Sequence, residues 1–378
     1  MLIRSRIMHI IWVALFLLLI SLPLLDSYIG ILGRNENTEN RQLATAPKLK
    51  WRKPFEFFRP FETYFNENFQ GRSILIKGYS QWKWNWLRSS PFPNKAIIGK
   101  SGWLFLGDRN ENVLKEYRHL KPYTKEELQK IYSRIRENQQ WLASKGIKYY
   151  VVIAPNSHSI YPEFLPDNVV KAHKGSYINS IGKYLAQYPD INFIDLKDTL
   201  LTVKKQQNKL LYYKTDTHWN QYGAFIGYTY IINQIRKDFP AIIPLSLSQY
   251  KWREHGFSGD LSMMLNLETD FNETVQELYP GFPLKAVDAK RNLPIPSDYT
   301  WDKTQYLLSR CTENLNLPKA VIYRDSFSGS LIPYFSENFS ESLFIWEKKI
   351  RKEVIEQEKP DIVIHEIVER LVDDAFLN

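Results

Sequence analysis

Tyr149-Tyr150-Val151-Val152-Ile153-Ala154-Pro155 is the stretch whose reading decides the fold. Its apolar positions run without alternation, the mark of a strand buried on both faces, and a proline closes it. Upstream, Thr124 and Glu127 make a capping box for a helix through Ser144, which Gly146 stops. Downstream come a loop, a helix toward Tyr188 and the apolar segment Ile191-Asn192-Phe193-Ile194-Asp195-Leu196. Ala320-Val321-Ile322-Tyr323 and Asp361-Ile362-Val363-Ile364 repeat the short-strand pattern, and Trp103-Leu104-Phe105-Leu106-Gly107 reads as a short strand and turn. Strands alternating with longer helices predict an α/β domain built on a covered, mostly parallel sheet.

Working outward, the start of the chain carries Arg4 and Arg6 ahead of an apolar run from Ile7 to Leu25, ended by Asp26. A membrane-crossing helix needs roughly 17 to 25 apolar residues, so this run predicts one transmembrane helix. The basic flank predicts a cytoplasmic N-terminus with everything after Asp26 outside. A cleaved signal peptide is the competing reading, but Leu24-Leu25-Asp26-Ser27-Tyr28 offers no small-residue cleavage pattern. Residues 34–60 are polar and punctuated by Pro47, Pro54 and Pro60, which reads as a tether. Phe61, Tyr64, Phe65 and Phe69 fall at helical spacing, and a second aromatic cluster follows at Trp82, Trp84 and Trp86. The chain thus divides into residues 1–33 (cytoplasmic N-terminus and anchor), 34–99 (tether and helical aromatic extension) and 100–378 (the α/β domain).

Composition narrows the classes. The single cysteine, Cys311, excludes an intrachain disulfide and a four-cysteine metal site. The formal charge of +9 is spread along the 378 residues with no nucleic-acid-binding module, so a nucleic-acid partner is not expected. Aromatic residues make up 15% of the chain; core packing is their default role, with a carbohydrate groove as the alternative.

The chemistry centres on Asp216-Thr217-His218-Trp219-Asn220 and, after a strand, on Arg324-Asp325-Ser326-Phe327. An acid and an imidazole two residues apart, with a serine delivered from the end of another strand, are the parts needed to activate a hydroxyl for acyl transfer. Open α/β sheets place ligand-binding groups at such carboxyl ends. The spacing alone leaves open a capping Asp, a packed His and a turn Ser. A divalent ion held by Asp216 and His218 with His158 or His255 is a lesser alternative. Asn220 reads as the cap of a helix over residues 220–236, Trp219 as packing or a sugar platform, and Arg324 as a partner for a carboxylate or an anionic substrate group.

These segments, with Gly102-Trp103-Leu104-Phe105-Leu106-Gly107 and Gly259-Asp260-Leu261-Ser262, resemble the AlgX/AlgJ family of SGNH-hydrolase-like polysaccharide O-acetyltransferases. Glu39-Asn40-Arg41-Gln42-Leu43-Ala44, Tyr64-Phe65-Asn66-Glu67-Asn68-Phe69-Gln70-Gly71-Arg72 and Glu366-Ile367-Val368-Glu369-Arg370 resemble it too. The resemblance implies an SGNH-like three-layer domain with catalytic order Asp216, His218, Ser326, permuted from hydrolases in which the serine comes first. Because the chain ends soon after Arg370, it looks more like the membrane-anchored AlgJ form than one with a further carbohydrate-binding module. The implied activity is transfer of acetyl groups to an extracytoplasmic polysaccharide through a serine acyl-enzyme, with no cofactor and no metal. The N-terminal apolar run sets the expected location, the cytoplasmic membrane, single-pass, with the catalytic domain outside, and that placement calls for a multispanning membrane-bound O-acyltransferase as acetyl supplier, a partner the family often works beside. An extracytoplasmic carbohydrate acetylesterase and a noncatalytic polysaccharide-binding assembly subunit are the alternatives.

Overall fold

The computed structural model describes residues 2–29, 43–49, 51–69, 71–109, 111–291, 293–297, 299 and 303–377. The Glu39-Asn40-Arg41-Gln42 motif, Gln70, residues 30–33 and the early tether at 34–42 lie outside the described residues. The chain divides into two compact units, residues 1–91 with 263–268, and residues 92–262 with 269–378.

In the first unit, helices span Leu2–Ile29, Phe55–Asn68 and Arg72–Leu87. The expectation of a transmembrane anchor is corrected here: among the described residues, no helix is long and apolar enough to cross a membrane. The single-pass placement with an outward catalytic domain, attachment through the N-terminal helix, and the membrane-bound acetyl supplier inferred from that placement lose their basis with it. The aromatic helix starts at Phe55, ahead of its expected start at Phe61, with Pro54 at its N-cap. Pro60 lies inside it and removes one intrahelical donor without ending the helix. Ring pairs one turn apart stack along it, Phe57 on Phe61 at 5.2 Å and Phe65 on Phe69 at 5.7 Å. Its C-terminal turn holds the segment before it: Glu67 accepts from the Ala44 N–H at 2.6 Å, and Asn68 donates to the Ala44 carbonyl at 2.9 Å.

The second unit is the α/β domain. Its strands, in chain order, are β1 (Ala96–Ile98), β2 (Leu104–Leu106), β3 (Lys148–Ala154), β4 (Phe193–Asp195), β5 (Tyr250–Phe257), β6 (Glu273–Pro280), β7 (Val287–Asp288), β8 (Leu307–Cys311), β9 (Ala320–Tyr323), β10 (Glu341–Ile345) and β11 (Ile362–Val368). The main sheet has the order β4-β3-β11-β9-β10-β8-β7. From β4 to β10 every neighbouring pair is parallel, and β8 and β7 add an antiparallel edge. Every residue of β9 and β11, and all of β3 after Lys148, is buried, so the central strands are covered on both faces and need no alternation. β1 with β2, and β5 with β6, form separate antiparallel pairs.

The expected helices fall in place for the expected reasons. Thr124 Oγ accepts from the Glu127 N–H at 3.1 Å while Glu127 accepts from the Thr124 N–H at 2.8 Å, starting the helix Lys125–Ala143. Gly146, at φ 77°, makes the left-handed turn into β3. From β3 the chain moves outward to β4, whereas from β9 it moves to β10 on the opposite side. This reversal puts a topological switch point at the carboxyl ends of β3, β11 and β9, where a doubly wound sheet collects functional groups.

Candidate active site

Two chain segments meet at that switch point. One is the loop entering the helix Gln221–Ile235. Asn220 caps this helix, its side-chain oxygen accepting from the Gly223 N–H at 2.9 Å while its amide donates to the Leu210 carbonyl at 2.7 Å. Trp219 is fully buried, and its indole N–H donates to the Phe327 carbonyl at 3.0 Å. Trp219 is therefore a packing residue that ties the imidazole-bearing loop to the serine-bearing loop, with no face free for a sugar.

The second segment follows β9. Asp325 is buried and uses its two oxygens to accept the Phe327 N–H at 2.8 Å and the Val368 N–H at 2.6 Å, fixing the turn around Ser326 to the end of β11. Burial raises the Asp325 carboxyl, and those N–H groups and the Arg370 charge oppose the rise. Ser326 itself has φ −68° and ψ −27°, ordinary right-handed geometry, so its hydroxyl is presented without backbone strain. Arg324 is buried, donates to the Gln305 carbonyl at 2.7 Å and lies over the Trp346 ring at 4.5 Å. Burial lowers its guanidinium to about 10 while the Asp325 and Glu366 charges oppose the fall, so it stands near carboxylates, as expected, without a direct ion pair among the described residues.

The three residues singled out as nucleophile, base and acid come together. His218 Nδ1 lies 2.7 Å from Asp216 Oδ1, and His218 Nε2 lies 2.8 Å from Ser326 Oγ. Asp216 Oδ1 also accepts the His218 N–H at 2.9 Å, and Oδ2 accepts the Asp260 N–H at 2.9 Å. Burial alone pulls Asp216 upward, but the hydrogen bond and charge of His218, with the two N–H donors, hold it below the usual carboxylate range. Burial likewise pulls His218 down, and the Asp216 hydrogen bond and charge, with the Asp260 charge, outweigh it and raise the imidazole. Arg370 opposes that rise; it lies over the Phe327 ring at 5.2 Å, donates to Asn156 at 2.8 Å and pairs with Glu111.

His158 and His255 do not join this group. His158 is buried with Nε2 at 3.1 Å from the Leu106 carbonyl, and burial pushes it down to about 3. His255 pairs with Glu277 at 3.0 Å, across the β5–β6 pair. The acid and imidazole groups that do converge are Asp216, His218 and Asp260, with ligand atoms within 4.8 Å of one another. Those atoms are engaged in hydrogen bonds to each other's segment, so a cation there would have to displace the network just described. Asp260 is the member whose place was not read from the sequence: it stands in the quoted Gly-Asp-Leu-Ser segment, but nothing in its spacing from Asp216 announces the contact.

Comparison with known proteins gives the family. The family profile described as SGNH hydrolase-like domain, acetyltransferase AlgX, matches residues 96–297, more than half of the chain. The chain belongs to this family. It is accordingly a member of an acyltransferase enzyme family with an SGNH-hydrolase-like domain. The probable alginate O-acetylase AlgJ of Pseudomonas aeruginosa is 26% identical over 181 residues, 47% of this chain and 43% of the relative, so the match spans less than half of that protein. Among solved structures, PatB1 of Bacillus cereus superposes with a TM-score of 0.51 at 18% identity, covering 73% of this chain and 97% of PatB1. A DHHW family protein from Eubacterium siraeum gives a TM-score of 0.51 at 17% identity over 74% of this chain and 95% of its own. These two likenesses concern the fold: the three-layer α/β domain expected from the sequence holds, and the transmembrane helix expected before it does not.

Proposed function

We propose that this chain is an O-acetyltransferase that moves an acetyl group to a polysaccharide hydroxyl through an acyl-enzyme on Ser326. The observation that carries the reading is the continuous relay at His218, 2.7 Å from Asp216 on one nitrogen and 2.8 Å from Ser326 on the other. Family membership supplies the acetyl group, and the alginate O-acetylase named among its relatives supplies the class of acceptor.

His218 Nε2 takes the proton from Ser326 Oγ as that oxygen bonds to the carbonyl carbon of an acetyl donor. Asp216 holds the imidazole in the Nδ1–H form and offsets the positive charge it gains. The imidazolium returns its proton to the departing donor group, leaving an acetyl ester on Ser326. A sugar hydroxyl then gives its proton to His218 and attacks that ester, and the imidazolium reprotonates Ser326 as the acetylated sugar leaves. We assign the Ser326 N–H as one oxyanion donor.

The test incubates the purified chain with an aryl acetate, with and without acceptor oligosaccharides. Wild type is expected to release the phenol, carry one acetyl group on Ser326 by mass spectrometry and pass it to sugar. Ser326→Ala is expected to keep the fold and lose all three. A normal acetyl-enzyme in Ser326→Ala overturns the nucleophile, and acetate release that no acceptor ever intercepts turns the assignment to an esterase.

A further inference from the structure

Residues 259–262 lie across the Thr215–His218 turn as a clamp. The Gly259 N–H donates to Thr215 Oγ at 3.0 Å, and the Leu261 and Ser262 N–H groups converge on the Thr215 carbonyl at 3.1 and 3.3 Å. The approach is too close for any side chain at position 259: a Cβ there would sit 2.5 Å from both Asp216 Cβ and the Thr215 carbonyl oxygen. Only glycine lets the clamp close.

Closure brings Asp260 over the pair. Its N–H donates to Asp216 Oδ2 at 2.9 Å, the oxygen that His218 leaves free. Its carboxylate accepts twice from the residue between acid and imidazole, from the Thr217 N–H at 2.8 Å and the Thr217 hydroxyl at 2.7 Å. That hydroxyl also lies 3.1 Å from His218 Nδ1. A hydroxyl has one proton, and when it is given to Asp260 the oxygen faces Nδ1 only as an acceptor. Nδ1 must then carry the hydrogen, which leaves Nε2, facing Ser326, as the proton acceptor.

We propose that Asp260 is a positioning residue of the acyl-transfer site, acting through Thr217 to fix the His218 tautomer and through its backbone N–H to fix the Asp216 carboxylate. The inference rests on the reading of Asp216, His218 and Ser326 as the reacting groups, and goes beyond it by giving the clamp a chemical task. The charged groups acting on His218 are Asp216 and Asp260, which raise it, and Arg370, which lowers it; Asp325 is a further buried acid, on which the His218 charge acts to lower it. Burial and the Asp216 charge push Asp260 itself up to about 6, so removing its charge moves His218 downward above that value.

The experiment measures the rate at which a sulfonyl fluoride modifies Ser326, from pH 5 to 9, in the full chain and in Asp260→Asn and Thr217→Val. Both variants are expected to lose roughly tenfold in modification rate and in kcat, the scale of one lost hydrogen bond to a charged group, with KM little changed. In Asp260→Asn the acid limb of the profile is also expected to move to lower pH. Should Asp260→Asn fail to fold, Thr217→Val keeps the clamp's backbone bonds and tests the same relay. Ser326 modified at the wild-type rate and with an unshifted profile in both variants overturns the proposal while leaving the active-site reading intact. Wild-type protein that is never modified at Ser326 overturns both.

Discussion

Asp216 uses both carboxylate oxygens within its own neighbourhood, and this shapes how the site titrates. His218 is raised above the usual imidazole value, near 6.5, so the base form appears later on a rising pH scale. The rate is expected to climb through a limb above that value, measurable with an aryl acetate. Asp216→Asn removes the principal charge that raises His218, so the limb is expected to move down while kcat falls on the order of 10³ to 10⁴, the scale of losing the orienting acid of a serine relay. An unchanged rate would remove Asp216 from the mechanism. At this scale the sequence named the three side chains that the fold brings together, because acid, imidazole and serine are chemically conspicuous. It left Asp260 without a role and Arg324 undecided. Asp260 acts through a glycine-permitted contact that no local pattern encodes, and Arg324 is explained by carbonyl and ring neighbours distant in sequence.

Elements were legible where local signals agree. Thr124 and Glu127 fixed a helix start, and the unbroken apolar runs fixed β3, β9 and β11. Thr124→Ala is expected to cost about 1 kcal/mol, the usual value of an N-cap, seen as a lower urea midpoint with unchanged slope. The helix Gln221–Ile235 is built into its site more tightly: a Cβ on Gly223 would lie 2.0 Å from the Leu211 carbonyl oxygen. Backbone cannot yield there as a side chain could. Gly223→Ala is expected to destabilise by about 1 to 3 kcal/mol, in the range of overpacked interiors, and to displace the His218 loop. A urea midpoint equal to wild type would show that the contact is easily relieved. Less legible were the edge strands β7 and β8, whose partly exposed residues offer little apolar contrast, and the start of the aromatic helix, masked by Pro54 and Pro60.

For the molecule as a whole, two buried histidines outside the site set part of its acid tolerance. Burial pushes His158 down to about 3 and His365 down to about 4, while an unfolded imidazole titrates near 6.5. On acidification the unfolded chain takes up these protons first, so their contribution is complete above about 6.5 and is lost as pH falls through that value toward the folded ones. His365 is wedged between the Tyr149 hydroxyl and the Lys348 carbonyl, each at 3.0 Å. His365→Gln is expected to be less stable at pH 7 and to lose less further stability between pH 6.5 and 4.5 than wild type, as read by urea unfolding at several pH values. The acids whose own titration works against this trend are common to both proteins and cancel in the comparison. Parallel slopes would remove His365 from the account.

The insertion of β11 between β3 and β9 also governs timing. Lys148 waits for Ile362, and Ala320 waits for the same residue, before the centre of the sheet can close. A ribosome that has emitted β3 and β9 has made two largely apolar strands with facing open edges, a template for misassociation until β11 arrives. The same arrival delivers the Val368 N–H that secures Asp325 beside the serine. Translation stalled ahead of Ile362 is therefore expected to yield a nascent chain that is adhesive and lacks the anchor of its serine turn, and synthesis through Val368 ends the two conditions together.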